Sequence, residues 1–504
     1  MKNFVYLILG FLVSGIILLM PESIFTSWPI QATAAITALM VIWWITEAIP
    51  IPATALVPLV GFPLLGVLSP AEASAPYADK TIFLFLGGFI IAASMQRWNL
   101  HRRIALSLIL KTGTSPKRII LGFMVATAFL SLWISNTATA MLMIPIAIAI
   151  IGTVVADAGK VAGTIVPDDF SKALIISIAY AASIGGLGTI IGSPPNGIFL
   201  AQLETLFPSA PTIDFVTWMA FGIPLVVIFI PLCWLWLVYG PYRHMPDQLP
   251  QSRPIIVEEL RKLGSISTGE RWTLIVFVLT ALMWIFSKSK EIGSFVIPGL
   301  DMIFPGIDDS TIAMAGALLL FLLPVSISNR EYTMTWDAVA KIPWGILILF
   351  GGGICLSKGF IKSGLADLLV TQFSALHILH VGVLILLLAL LVSLLTEVTS
   401  NTAIASVMMP ILAVTSISLM INPIILMLTA ALTASLAFML PVATPPNAVA
   451  YSTGYLSMKE MMRTGFVLNM IGILLITLFM YSIILWVMGI TVDLPVWAAS
   501  PSNL

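Results

Sequence analysis

Two stretches of this 504-residue chain are too apolar to leave a membrane and too long to cross it once. Ile119–Ala156 carries no charged residue in 38 positions, and Val381–Pro423 carries only Glu397. At ~1.5 Å per residue either would form a straight helix of roughly 60 Å, about twice the ~30 Å hydrocarbon core. Each must therefore fold back, and each holds a polar motif near its middle: Ser135-Asn136-Thr137-Ala138 and Ser400-Asn401-Thr402-Ala403. Non-helical backbone at membrane depth has to line a cavity or be buried in protein. A re-entrant hairpin with the motif at its tip suits that requirement better than a pair of full spans.

The two motifs stand 265 positions apart (400 − 135), and the same offset carries Gly87-Gly88 onto Gly352-Gly353, Arg97 onto Lys362 and Pro145 onto Pro410. A second pair, Ser193-Pro194-Pro195-Asn196 and Thr444-Pro445-Pro446-Asn447, repeats at 251 (444 − 193). Proline removes a backbone donor, clashes with the preceding turn and drives its predecessor out of the α region. Pro194-Pro195 and Pro445-Pro446 are therefore expected to interrupt helices mid-membrane, freeing carbonyls near Gly192 and Ala443 and leaving Ser193 and Thr444 facing the gap. An internal duplication whose best-matched parts are polar helix breaks is the pattern of a secondary transporter with a midplane site.

Composition fits a polytopic membrane protein. Hydrophobic residues make up 59% and charged residues 9%, with mean hydropathy +1.07; soluble domains carry about a quarter charged residues. Eleven spans are expected near 4–20, 30–49, 51–68, 82–100, 173–203, 216–239, 272–287, 310–327, 342–370, 424–453 and 465–490, with the two hairpins not crossing. Phe4–Met20 reads as the first span rather than a cleaved leader. With the N-terminus inside, seventeen of the 23 Lys and Arg fall in inner loops and only Lys80, Lys288 and Lys290 in outer ones, as the positive-inside rule requires. The odd number of crossings puts the hairpins on opposite sides, so the repeat is inverted and the C-terminus outside. Pro241–Arg271 is then a cytoplasmic linker. Leu100–Lys117 reads equally as an amphipathic interfacial arm or a solvated loop.

The hairpins and breaks contain no Arg, Lys or His. Hydroxyls, Asn amides, loop carbonyls and half-helix N-termini suit a small hard cation together with carboxylates. Burying an unpaired dianion would cost far too much, so the cation is expected to compensate the anion. Glu397 is either functional or a hydrogen-bond partner of the hairpin backbone. Glu47 caps or anchors a span end, and His377 and His380 face water. Cys233 and Cys355 have no disulfide or metal spacing. No HExxH, nucleophile elbow or phosphate loop occurs, which argues against an enzyme. A channel is the other class to set aside.

At Thr46-Glu47-Ala48-Ile49-Pro50, Leu84-Phe85-Leu86-Gly87-Gly88-Phe89 and Thr396-Glu397-Val398-Thr399-Ser400-Asn401-Thr402, and at the paired motifs above, the chain resembles the divalent anion/sodium symporter family. The resemblance implies an all-α elevator-type homodimer in the cell (inner) membrane. Its scaffold would comprise residues 1–110 and 272–375 and its transport domain 111–242 and 376–492, with a linker at 243–271 and a tail at 493–504. It further implies one Na⁺ site at Ser131, Ser135, Asn136 and Gly192 and a second at Thr396, Ser400, Asn401 and Ala443. The anion would be held by Asn136, Thr137, Ser193, Asn401, Thr402 and Thr444. Na⁺ is then the coupling ion, with no other cofactor. The expected activity is sodium-coupled uptake of a C4-dicarboxylate such as succinate, malate or fumarate. A sodium-independent dicarboxylate exchanger, or a carrier of citrate or sulfate, is the alternative within the family.

Overall fold

The computed structural model describes residues 2–113, 115–158, 168–245, 252–292, 295–373 and 380–498. Helices α1 (Lys2–Leu19), α2 (Trp28–Thr46), α3 (Val57–Leu64), α4 (Lys80–Arg97) and α5 (Leu100–Leu110) lead into a fold-back, α6 (Pro116–Ser131) and α7 (Asn136–Ala158). A broken helix follows, α8 (Asp168–Gly185) and α9 (Pro194–Leu206), then α10 (Phe215–Tyr239). After α11 (Ser252–Lys262) the second half repeats the plan. Its helices α12 (Thr268–Ile285), α13 (Asp309–Leu322), α14 (Trp344–Ser363) and α15 (Leu365–Phe373) precede a second fold-back, α16 (Val381–Val398) and α17 (Asn401–Ser418). The second broken helix is α18 (Pro423–Ala434) and α19 (Pro445–Ser452), and α20 (Met458–Phe479) closes the core.

Among the described residues nine helical segments are long and apolar enough to cross a membrane, and the eleven expected spans are all found as helices or helix pairs. Two are shorter than their apolar runs suggest. The run 51–68 is a turn at Ile51–Thr54 followed by α3, and 310–327 ends as a helix at Leu322 before a short β-pair, Pro324–Ser326 with Glu331–Tyr332. Three prolines, Pro52, Pro58 and Pro63, account for the first shortening. The arm is helical over Leu100–Leu110. Its face bearing Leu100, Ala105, Leu106 and Ile109 is buried, while Arg102 pairs with Glu259 of α11 and Arg103 with Glu270 of α12. The linker is thereby seated on the arm. Glu47 is exposed and ends α2 in the left-handed conformation (φ 48°). His380 is the exposed N-cap of α16, its Nδ1 accepting from Gly382 N–H. Lys160 and His377 lie outside the described residues. Cys233 and Cys355 are free and buried.

The two halves are seated on one another reciprocally. A Cβ on Gly87 of α4 would lie 2.6 Å from the Ala313 carbonyl carbon in α13, and one on Gly352 of α14 would collide with Ala55 beside α3. These glycines are duplicates, and each lets its helix touch a helix of the other half at backbone distance, as small residues do in membranes. Helix α8 lies at the centre, with 94% of its span buried against 33% for α16. The substitutions Gly87→Leu and Gly352→Leu should each destabilise by about 1–3 kcal/mol or more through overpacking. Gly15→Leu, where nothing lies within 4 Å, should be near neutral; thermal unfolding in detergent reads the difference.

Candidate cation and anion site

The breaks form N-terminal to the prolines rather than at them. Pro194-Pro195 and Pro445-Pro446 occupy the first turn of α9 and α19, where their missing N–H costs nothing. Unwinding instead covers residues 186–193 and 435–444. Ser193 and Thr444 are the N-caps; Thr444 Oγ1 accepts from Asn447 N–H at 3.4 Å, whereas Ser193 Oγ is 2.9 Å from Ser435 Oγ.

The Asn that follows each proline pair holds its own break in the same way. Asn196 Nδ2 donates to Gly186 O (3.0 Å) and Thr189 O (2.8 Å), and Asn447 Nδ2 donates to Ala437 O (3.0 Å) and Leu440 O (3.1 Å). The acceptors are related by the 251-residue offset of the motif itself. Gly186 and Gly192 approach so closely that a Cβ on Gly192 would lie 2.6 Å from Gly186 O, which only glycine allows.

The halves differ in what else secures the break. Glu397, inside the second fold-back, accepts from the backbone N–H groups of Phe438 (2.8 Å), Met439 (2.9 Å) and Leu440 (3.0 Å) and from Asn469 Nδ2 (2.7 Å). Its role is a hydrogen bond to backbone, although to the unwound segment rather than to its own hairpin. In the first half Leu132 stands at the corresponding position, and its carbonyl accepts from Thr189 Oγ1, which in turn accepts from Gly192 N–H at 3.1 Å.

Three expected residues meet at the first fold-back. Ser131 Oγ lies 2.6 Å from Asn136 Oδ1 and 2.6 Å from Ala182 O, and the same amide atom stands 3.1 Å from Ala182 O and 3.2 Å from Gly192 O. A single hydroxyl hydrogen cannot bridge four oxygens. Either the Asn136 amide turns, so that its two Nδ2 hydrogens serve Ser131 Oγ and Gly192 O while the Ser131 hydroxyl donates to Ala182 O, or a cation holds the oxygens together. Ala182 carried no signal in the sequence, because any residue supplies a carbonyl. Ser135 caps α7, accepting from Ala138 N–H at 3.4 Å, and lies with Thr137 on a cavity wall.

Among the described residues no hydrogen bond joins the members of the second set to one another. Thr396 Oγ1 donates to Ser393 O (3.1 Å), Ser400 Oγ accepts from Ala403 N–H (3.5 Å), and Ala443 N–H donates to Leu440 O (3.2 Å). Thr402 O accepts from Ser406 Oγ (3.0 Å). Asn401 Oδ1 is buried without a partner among the described residues, as are Asn196 Oδ1 and Asn447 Oδ1. Helix α7 packs on α19 and α17 on α9, so each fold-back abuts the broken helix of the other half.

A cavity of about 750 Å³ opens beside the first tip. Ser135, Thr137, Ala138 and Met141 form one wall, and α4 (Phe89 to Arg97) with residues 338–346 forms the other.

Residues 1–490 match the model of the sodium:sulfate symporter transmembrane region. Two staphylococcal proteins are close relatives. The sodium-dependent dicarboxylate transporter SdcS of Staphylococcus saprophyticus is 43% identical over 92% of this chain and 87% of its own length. SdcS of Staphylococcus aureus is 41% identical over 93% and 88%. Two solved structures share the fold at low identity: MtrF of Neisseria gonorrhoeae (TM-score 0.57, 11% identical, 92% and 96% covered) and YdaH of Alcanivorax borkumensis (0.58, 14%, 90% and 98%).

Replacing Glu397 by Leu leaves three backbone donors and an amide without their acceptor, at about 1–3 kcal/mol each. Glu397→Leu should lower the unfolding temperature well beyond Glu397→Gln, which keeps one acceptor. Equal stability of the two variants would show that the carboxylate does not hold the break.

Proposed function

The chain belongs to the sodium:sulfate symporter family, a family of membrane transporters and not of enzymes, and on that premise we propose that it couples Na⁺ entry to uptake of a C4-dicarboxylate. The observation that carries this reading is the convergence of the Ser131 hydroxyl, the Asn136 amide and the Ala182 and Gly192 carbonyls, with no cationic side chain among them. The names of the staphylococcal relatives agree with it.

Asn136 supplies the coupling. With Nδ2 turned inward, the amide donates to Ser131 Oγ and Gly192 O and presents Oδ1 to the anion, which repels it. Na⁺ among the four oxygens draws Oδ1 inward and turns Nδ2 out, as a donor to a carboxylate. Thr137 and Ser193 add hydroxyl donors from the first half, and Asn401, Thr402 and Thr444 from the second. Ser135 completes the first Na⁺ shell, and Thr396, Ser400, Asn401 and Ala443 close around a second ion on binding. The positive ends of α7, α9, α17 and α19 contribute partial charge. By linkage, the anion raises Na⁺ affinity by the factor by which Na⁺ raises its own.

The site rides on a transport unit, residues 111–242 and 376–492, which moves as an elevator against a scaffold of 1–110 and 272–375 in a homodimer, with the two halves as an inverted repeat. The N-terminus is cytoplasmic and the C-terminus outside. Ion pairs support that topology. Lys80–Glu204 and Lys362–Glu72 join segments assigned to the outer side, and Arg97–Glu331, Arg102–Glu259, Arg103–Glu270 and Lys172–Glu460 join inner ones. Among the described residues no ion pair links the two sides. The cavity at Ser135 and Thr137 then opens inward, while Lys80–Glu204 and the Phe215–Trp284 stack (4.3 Å) close the outer face.

In proteoliposomes, labelled succinate should accumulate under an imposed Na⁺ gradient and not when choline replaces Na⁺. Uptake driven equally by internal succinate in choline would replace symport with exchange. Asn136→Ala and Asn401→Ala should each abolish uptake without loss of folded protein. Asn136→Asp, an acceptor on both sides, should keep a Na⁺-induced thermal shift and lose the succinate-induced one; retained succinate binding would sink the amide-turn mechanism. For sidedness, a cysteine replacing Ser209 should react with an impermeant thiol reagent on intact cells, and one replacing Ser265 should not. The opposite pattern would invert the topology.

A further inference from the structure

We propose that the cavity beside the first hairpin tip contains a second anion site, independent of Na⁺, in which Arg97 and Lys341 hold a carboxylate between the tip and the open solution. The proposal rests on the reading of the chain as a dicarboxylate carrier, since the cavity adjoins Ser135 and Thr137. The residues lining the cavity include these two permanent cations and no carboxylate. Arg97 is only partly engaged. Its NH1 donates to Thr335 Oγ1 at 3.2 Å, its NH2 stands 3.7 Å from Glu331 Oε1, and its guanidinium lies 5.2 Å from the Trp98 ring centre. A guanidinium has five donors, so several remain for an anion. Lys341 is exposed, and among the described residues no carboxylate lies within ion-pair distance of it. His101, also on the wall, donates Nδ1–H to Met95 O (2.9 Å). Burial pushes it down to about 4, so it is neutral at physiological pH and the positive charge comes from Arg97 and Lys341.

The remaining wall is largely apolar, with Phe89, Ala92, Met141 and Leu142. Low-dielectric walls focus the field of the two cations into the cavity and raise the local anion concentration. A volume of about 750 Å³ leaves room for a four-carbon dianion and its water. The duplication adds a second observation. Lys362, the counterpart of Arg97, is bound to Glu72 at 3.1 Å on the side that is closed, whereas Arg97 on the open side keeps free donors. The partner charge at this site is permanent, unlike that at the hairpin tip, so binding there needs no Na⁺.

Met141 lines the cavity and is 58% exposed, and the two native cysteines are buried. In inside-out membrane vesicles with choline replacing Na⁺, Met141→Cys should react several-fold faster with an anionic sulfonate thiosulfonate reagent than with a cationic trimethylammonium one, after normalisation to a free thiol. Rising salt should erase the preference. Succinate in choline should slow the anionic reagent. Both effects should fall in Lys341→Gln, which disturbs no hydrogen bond, and vanish in Arg97→Gln/Lys341→Gln. An unchanged charge preference in the double variant, or no protection by succinate without Na⁺, would overturn the proposal. Na⁺-driven succinate uptake by the same vesicles is scored separately: its absence would defeat the symport reading while the labelling result still decides the cavity site.

Discussion

Residues 186–193 and 435–438 are buried at the two breaks, and the surrounding structure is arranged to satisfy their peptide groups. Each unmet group in hydrocarbon would cost several kcal/mol. The side-chain amides of Asn196 and Asn447 therefore bind two break carbonyls apiece, and Thr189 bridges Leu132 to Gly192. In the second half a carboxylate does what neutral groups do in the first. Glu397 gathers three peptide N–H groups and the Asn469 amide, charge-assisted bonds of the stronger kind. A buried anion is tolerable at membrane depth because its donors are all supplied by the protein.

Once these groups are satisfied, a few oxygens and donors remain to face a ligand, and they are neutral. The first fold-back brings the Ser131 hydroxyl and the Asn136 amide together with the Ala182 and Gly192 carbonyls, while in the second Thr396 bonds to its own helix and Asn401 Oδ1 is unpartnered among the described residues. The Ser193–Ser435 hydroxyl pair joins the two breaks directly. Charge is displaced to the rim, where Arg97 and Lys341 look into the cavity and Lys80 and Lys362 are held by Glu204 and Glu72. In the proposed mechanism, a neutral centre with charged approaches lets ions enter and leave without meeting a permanent counter-charge at the site.

Much of this was legible in the sequence. Charge-free runs longer than a bilayer announced the fold-backs, and the duplicated Ser-Asn-Thr and Pro-Pro-Asn motifs fall at the fold-back tips and the helix breaks. Ser131, Asn136 and Gly192, which the resemblance grouped with Ser135, lie together at the first fold-back. The prolines begin a half-helix, and the unwinding lies on their N-terminal side, where Gly192 and Ala443 stand. Ala182 could not be found, because a carbonyl ligand leaves no trace in residue type. The backbone partners of Glu397 lie about 40 residues away along the chain, a pairing set by the packing of α16 on α18 and not by any local spacing. Ser435 has no counterpart in the first half, where Ile184 stands, so the repeat gave no pointer to it.

The reciprocal seating of the halves also bears on how the molecule is made. Gly87 leaves α4 shaped for Ala313, and Ala55 waits for Gly352. At roughly 5–20 residues per second, the 225 residues between Arg97 and Leu322 take about 10–45 s to synthesise. For that interval α4 stands in the membrane with its glycine face uncovered, open to lipid or to any other small-residue helix. Completion of the first half is therefore an event of the second half's translation, and a chain halted in the connection between them would hold a set of inserted helices without a finished core.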